Sequence, residues 1–133
     1  MSNLETIRKA IATTLQSVPN LRVYEYVPDA PQPPCVVIIP ETIQYQQIFN
    51  GASAYQFILQ TMTAAVNNSA GQTELDELIA NDGERSIPAA FRARPTLDGS
   101  VQLCDLKEMR NYGTIGDAVR YYSAQLIVDV WAE

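Results

Sequence analysis

Three groups of residues combine types and spacings that could support chemistry. The first is Gly113-Thr114-Ile115-Gly116-Asp117, where two glycines three apart resemble a fragment of a loop that turns backbone N–H groups toward a phosphate. Such a loop needs a strand before it and a helix after it, so that the helix dipole faces the anion. The residues that follow, AVRYYSAQLIVDVW, are rich in β-branched and aromatic types and read as a strand, and no Gly-Lys-Ser/Thr continues the loop. Gly113 and Gly116 are therefore read as turn positions with positive φ in a β-hairpin.

The second group is the acidic cluster Glu74, Asp76 and Glu77. Glu74 and Glu77 share one face of a helix and Asp76 points elsewhere, so the three do not converge on a metal or form a carboxylate pair. They read as a solvated helix face whose negative charge lies near a helix N-terminus, where it is favourable. The third group is the cysteine pair, Cys35 and Cys104, set far apart in strand-like segments. Buried, reduced thiols are expected there rather than a disulfide, because the chain looks cytosolic. Serines and threonines have no histidine to activate them, since the chain contains none. A serine–lysine pair would have to use Lys9 or Lys107, and their spacing gives it no support. Asn67-Asn68-Ser69 fits the glycosylation pattern, but the polar start MSNLETIRK has no apolar stretch of a secretory signal, so the match is read as chance. No catalytic, cofactor or metal site is expected, and no enzyme.

The elements that would have to position any site follow from the totals. A chain of 133 residues with 47% apolar and 18% charged residues suits a single globular domain spanning 1–133. No apolar run approaches the roughly 20 residues that cross a bilayer, and no membrane partner is expected. The net charge is −6 and there are only two lysines, so tight nonspecific binding of nucleic acid is not expected. An acidic surface would, however, let DNA slide past without sticking.

Leu4, Ile7, Ile11, Leu15 and Val18 recur at spacings of three and four and predict an amphipathic helix over Ser2–Val18, with Ser2 and Glu5 as a capping box and Pro19-Asn20 as the stop. A short strand over Leu21–Val27 and a stiff proline-rich connector, Pro28–Pro34, lead to CVVII, Cys35–Ile39. That β-branched run, bounded by prolines, reads as a central strand covered on both faces. Asn50-Gly51 between two β-rich arms predicts a hairpin. Helical pattern returns in two pieces over 67–97, broken at Asp82-Gly83, and Pro88 fits only in the first turn of the second piece. Asp98-Gly99 turns into a closing hairpin over Val101–Ala132. Strands and helices come in runs rather than in βαβ alternation, which predicts an α+β fold with a mainly antiparallel sheet and helices packed on one face.

The last strand is the unusual element, about fourteen residues from Val119 to Ala132 against a typical 5–6. Tyr122, Ala124, Leu126, Val128 and Val130 alternate onto the core face, leaving Tyr121, Ser123, Gln125, Ile127, Asp129 and Trp131 opposite. Aromatic residues mixed with polar ones on that face suit a protein–protein contact, and they equally suit cover by the chain's own elements.

The ordered set of the opening helix ending in VPNLRVYEYVP, the strand PPCVVIIP, the hairpin YQQIFNGASAYQFILQ, the helical stretch ELDELIANDGERSIPAAFRARPTLDG and the ending MRNYGTIGDAVRYYSAQLIVDVWA resembles the tail terminator (tail-completion, neck) proteins of long-tailed bacteriophages. The resemblance runs from the first helix to Trp131 and rests on pattern rather than on a signature motif. It implies a non-enzymatic structural protein of the virion, located at the head–tail junction and assembled in the host cytoplasm. It implies a homo-oligomeric ring, a hexamer in the family, that caps the major tail tube protein, ends tube polymerisation and offers a docking surface to a head completion or stopper protein, with DNA passing through the lumen without specific binding. A ring subunit needs two unlike complementary surfaces. Tyr45, Phe49, Tyr121, Ile127 and Trp131, on the Asn50-Gly51 hairpin and the closing strand, are the expected contact residues. The alternatives are a head–tail connector or stopper, and a small cytosolic adaptor that binds peptides along a sheet edge.

Overall fold

The structure is a computed structural model that describes residues 4–45, 53–64, 68–116 and 120–132. Helix α1 (Leu4–Leu15) is followed by strands β1 (Arg22–Tyr24), β2 (Cys35–Gln44) and β3 (Ser53–Ala64), helices α2 (Asn68–Ile79) and α3 (Ile87–Arg92), and strands β4 (Leu103–Ile115) and β5 (Tyr121–Ala132). The five strands form one sheet in the order β1-β2-β3-β5-β4. Every neighbouring pair is antiparallel except β1 with β2. This is the α+β arrangement that the grouping of strands and helices predicts.

The helices and one face of the sheet share a single apolar cluster. Ile7, Ile11 and Leu15 of α1, Leu78 of α2, and Ile87 and Phe91 of α3 meet Val36, Ile38, Phe57, Leu59, Leu126, Val128 and Val130 from the strands. The spacing of the helical members is what turns them to one side. α1 ends at Leu15, three residues before the predicted end, because its last turn tightens: Ser17 and Val18 donate to the carbonyls three back, Thr14 and Leu15. Asn20 then takes left-handed backbone at φ 55 and turns the chain. The Ser2 cap and the Asn50-Gly51 turn lie outside the described residues.

α3 starts as expected, with Pro88 in its first turn and the Ser86 hydroxyl accepting from the Ala89 N–H. The expected central strand runs further than Ile39. β2 passes through Pro40 and becomes the first arm of the hairpin itself, with a register shift between Pro40 and Thr42. A proline is tolerated there because β1 pairs only as far as Val37, so no strand requires an N–H on that side. On the opposite face, Cys35, Val37 and Met62 form a small second cluster, so the first half of β2 is covered on both faces.

Gly113 to Ile115 end β4, and Ile115 pairs antiparallel with Tyr121 at the start of β5, so these residues belong to a hairpin. One detail differs from expectation. Gly116 has positive φ (98°), but Gly113 lies within β4 beside a register shift between Arg110 and Gly113, and Asn111 takes the left-handed conformation there (φ 57°). An asparagine can occupy that region because its short side chain bonds locally, so the bulge does not need the glycine.

Candidate interaction surface

β4 is the outer strand of the sheet and runs for 13 residues. On its outer side no strand among the described residues pairs with it. The Pro95 carbonyl accepts the Cys104 N–H at 2.7 Å, so the open edge begins beyond that point. Among the described residues, seven large apolar side chains are exposed, and four of them, Leu103, Met109, Tyr112 and Ile115, belong to this one strand. An edge of this length with exposed apolar residues has unpaired backbone groups and apolar area of the kind that another strand can cover.

Behind the edge, on the helix side, a cavity of about 510 Å³ opens between α3 and β4. Its lining includes the apolar Phe91, Cys104, Leu106, Met109 and Leu126 together with Arg92. Arg92 is held by the Asn81 side chain at 2.7 Å, by the Asn81 carbonyl and by Asp82 at 3.2 Å. Burial pushes the Cys104 thiol up to about 12, helped by the carboxylates of Asp105 and Asp129. The Cys35 thiol is likewise pushed up to about 11 by burial, against the pull of Arg22. Both are free, buried thiols, as expected. Neither has the thiolate character that nucleophilic chemistry requires.

The helix-free face carries a cross-strand lattice of polar side chains. Asn111 donates to Gln125 at 2.7 Å, Gln125 donates to Gln60 at 2.9 Å, and Gln60 donates to the Ser123 hydroxyl. Further along, Gln56 donates to Asp129 at 3.2 Å, and Lys107 lies 3.5 Å from the same carboxylate. These bonds link β3, β5 and β4 across the sheet, the positions where facing side chains interact.

The expected contact residues divide. The predicted faces of β5 are correct: Tyr121, Ile127 and Trp131 pair with Ala64, Ile58 and Ala54 of β3, all on the face away from the helices. Ile127 is nonetheless fully buried, at 0% exposure, so it is not available to a partner. It lies on an inner strand between Ile58 and Glu108, with Gln125 and Asp129 of the polar lattice two residues to either side of it along β5. Tyr121 and Trp131 are half-buried at opposite ends of β5, roughly 33 Å apart at about 3.3 Å per residue. Tyr45, exposed at 71%, follows Gln44, which aligns through Ala54 with Trp131, so these two lie at one end of the sheet. Phe49 lies outside the described residues.

Sequence reasoning placed β4 in the closing hairpin but did not single out its edge, although its apolar residues were readable, because edge position follows from strand order and not from local pattern. It also missed what the acidic cluster does. Glu74 and Glu77 share a face, as expected, and Asp76 and Glu77 are exposed, but both glutamates also lie 3.0 Å from Arg85 Nη1, an ion-pair cluster on that solvated face. Asp76 accepts the Tyr112 hydroxyl at 2.6 Å, tying α2 to the edge strand. Partial burial and this bond to Asp76 raise the Tyr112 phenol. Among the described residues no group of three Cys, Asp or Glu is placed to hold a metal ion. No described helix is long and apolar enough to cross a membrane. No protein-family model matches this chain, and no curated protein matches it.

Proposed function

We propose that this chain is a structural virion-assembly protein, the subunit of a ring that caps a phage tail tube, ends tube polymerisation and presents a surface for head attachment. The observation that carries the reading is that the sheet has two unlike edges with no strand against them among the described residues. One is β4; the other is the outer side of β2 from Ile38 onward, beyond the last β1 pair. A ring closes through a heterologous contact, which needs two different complementary surfaces on each subunit. Strand edges at opposite ends of one sheet meet that requirement and keep the helices of successive subunits on one side.

The sequence pattern quoted above supports the same reading, and so does the surface chemistry. The chain is acidic and its two lysines are dispersed, so DNA would pass a lumen lined by it with little adhesion. Its partners would be further copies of itself, the major tail tube protein and a head completion protein. Negative-stain microscopy of a tail-assembly system with and without this protein tests the proposal. Overlong, headless tubes on omission are the expected result. Tubes of normal length that fail to join heads would replace the terminator role with that of a connector or stopper, and normal, head-joined tails would refute both.

A further inference from the structure

The charges along the open part of β4 are Asp105, Lys107, Glu108 and Arg110, in the order minus, plus, minus, plus. Read backwards, that order is its own complement. From this we infer that the β4 edge docks a second copy of the chain, antiparallel, about a twofold axis at the bulge between Leu106 and Glu108. In that register Asp105 faces the partner's Arg110, Lys107 faces the partner's Glu108, and Leu106 faces the partner's Met109, each contact occurring twice.

The bulge makes the register possible. In a regular strand an antiparallel twofold sets each residue opposite its own number or one of the same parity, because neighbours point to opposite faces. Here the pairing steps from Leu106↔Val128 to Glu108↔Ile127, so Lys107 is the extra residue. Lys107 reaches Asp129 on the helix-free face, the face on which Glu108 aligns with Ile127. With two consecutive residues on one face, parity matches on either side of them. Asp105 and Arg110 align with Asp129 and Gln125 on the helix-free face, and Leu106 and Met109 align with Val128 and Leu126 on the core face. Like faces therefore meet like faces. The partner's Met109 would cover Leu106 at the mouth of the cavity against α3. The existing ion pair between Arg110 and Glu108, at 3.5 Å with side chains 43% and 49% exposed, holds these charges only weakly in the single chain and leaves them free to exchange.

This dimer does not depend on the tail-terminator reading. Where both hold, it is a competing state that covers the β4 edge until a ring neighbour takes it. Sedimentation equilibrium of the purified chain over a dilution series is the first test, with a mass of twice 14.7 kDa expected at the upper end. Arg110→Asp places like charges opposite each other twice per dimer and should weaken association roughly tenfold or more, and Asp105→Arg should do the same. The double swap Asp105→Arg with Arg110→Asp should restore it to near the original strength. Glu108→Cys, beside the axis, should form a disulfide-linked dimer under mild oxidation, and this readout does not depend on the charge variants. A chain that is monomeric at every concentration overturns the inference and makes these charges and bulges a protection against edge pairing. A dimer or a larger ring indifferent to the reversals, with no cross-link through the introduced cysteine, overturns it too. Tail length in the assembly assay is unaffected by either outcome, so the two proposals fail separately.

Discussion

Replacing Arg85 should destabilise the protein by an amount that its contacts allow to be worked out. Its Nη1 lies 3.0 Å from carboxylates of both Glu74 and Glu77, its Nε donates to the Pro19 carbonyl at 3.1 Å and its Nη2 to the Asn20 carbonyl at 3.2 Å. One guanidinium thus ties α2 to the turn that ends α1. The Arg85 side chain is 17% exposed, that of Glu74 32% and that of Glu77 55%. The Glu77 pair is largely wet and contributes a few tenths of a kcal/mol, and the Glu74 pair about 0.5–1 kcal/mol. The two charge-assisted bonds to carbonyls contribute about 0.5–1 kcal/mol each, because water reaches the exposed Asn20 once the arginine is gone. Arg85→Ala should therefore cost about 2 kcal/mol, or roughly 6–8 °C in Tm for a domain of this size. Arg85→Lys keeps the charge but not the planar fork that serves carboxylates and carbonyls together, so about half the loss should remain. Urea and thermal unfolding of both variants provide the assay. An alanine variant within about 0.5 kcal/mol of the parent, or a lysine variant equal to it, would refute the reasoning.

Gly71→Ala should lower stability by about 1–3 kcal/mol in urea unfolding, although alanine favours a helix by about 1 kcal/mol. A Cβ at that position would lie inside van der Waals contact of the Ala64 carbonyl oxygen and 3.1 Å from Tyr122 Cδ2, so α2 would have to move off the sheet. Ile127→Ala should cost about 2–4 kcal/mol as a buried deletion, whereas Tyr121→Ala with Trp131→Ala should leave a folded monomer and weaken ring assembly; unchanged assembly would remove that face as a contact. The thiols of Cys35 and Cys104 should resist alkylation at pH 8 in the folded chain and react fully in urea. Their folded values, about 11 and about 12, lie above those of the unfolded chain, so the unfolded state releases protons first. Stability from this source is complete below about pH 8.5 and is lost as pH rises toward those values, which an unfolding series up to pH 10.5 would detect as a steady decline.

The sequence made the element order and the faces of the strands legible, because both follow from local periodicity. The α1 stripe, the first-turn proline of α3, the hairpin reading of GTIGD and the in-and-out alternation of β5 all have short-range causes. What was not legible depends on partners distant in the chain. Pro40 looks like a strand end, and only the shortness of β1 allows β2 to continue through it. Gly113 looks like the residue with positive φ, yet the bulge places Asn111 there. Glu74 looks as solvated as its neighbours until Arg85, eleven residues beyond it, folds back onto it. In each case the deciding neighbour is set by the fold and has no periodic signature.

Ile127 carries the most general of these lessons. Alternation states which side of a sheet a residue takes, and for Ile127 that side is right. It does not state how deep the residue lies. A face without helices need not be wet at every position, because an inner strand is flanked on both sides. Ile127 lies between Ile58 and Glu108, and polar side chains bond to one another across the strands on either side of it, Gln60, Gln125 and Asn111 along one stretch and Gln56, Asp129 and Lys107 along another. Their polar groups are already satisfied within the chain, so covering that face with a partner would replace existing bonds rather than supply missing ones. At the β4 edge the balance is different. Backbone groups there face outward with no strand to meet them among the described residues, and Met109, Tyr112 and Ile115 remain in water beside them. A partner would gain ladder hydrogen bonds and apolar burial together at that edge, which makes it the better contact surface of the two.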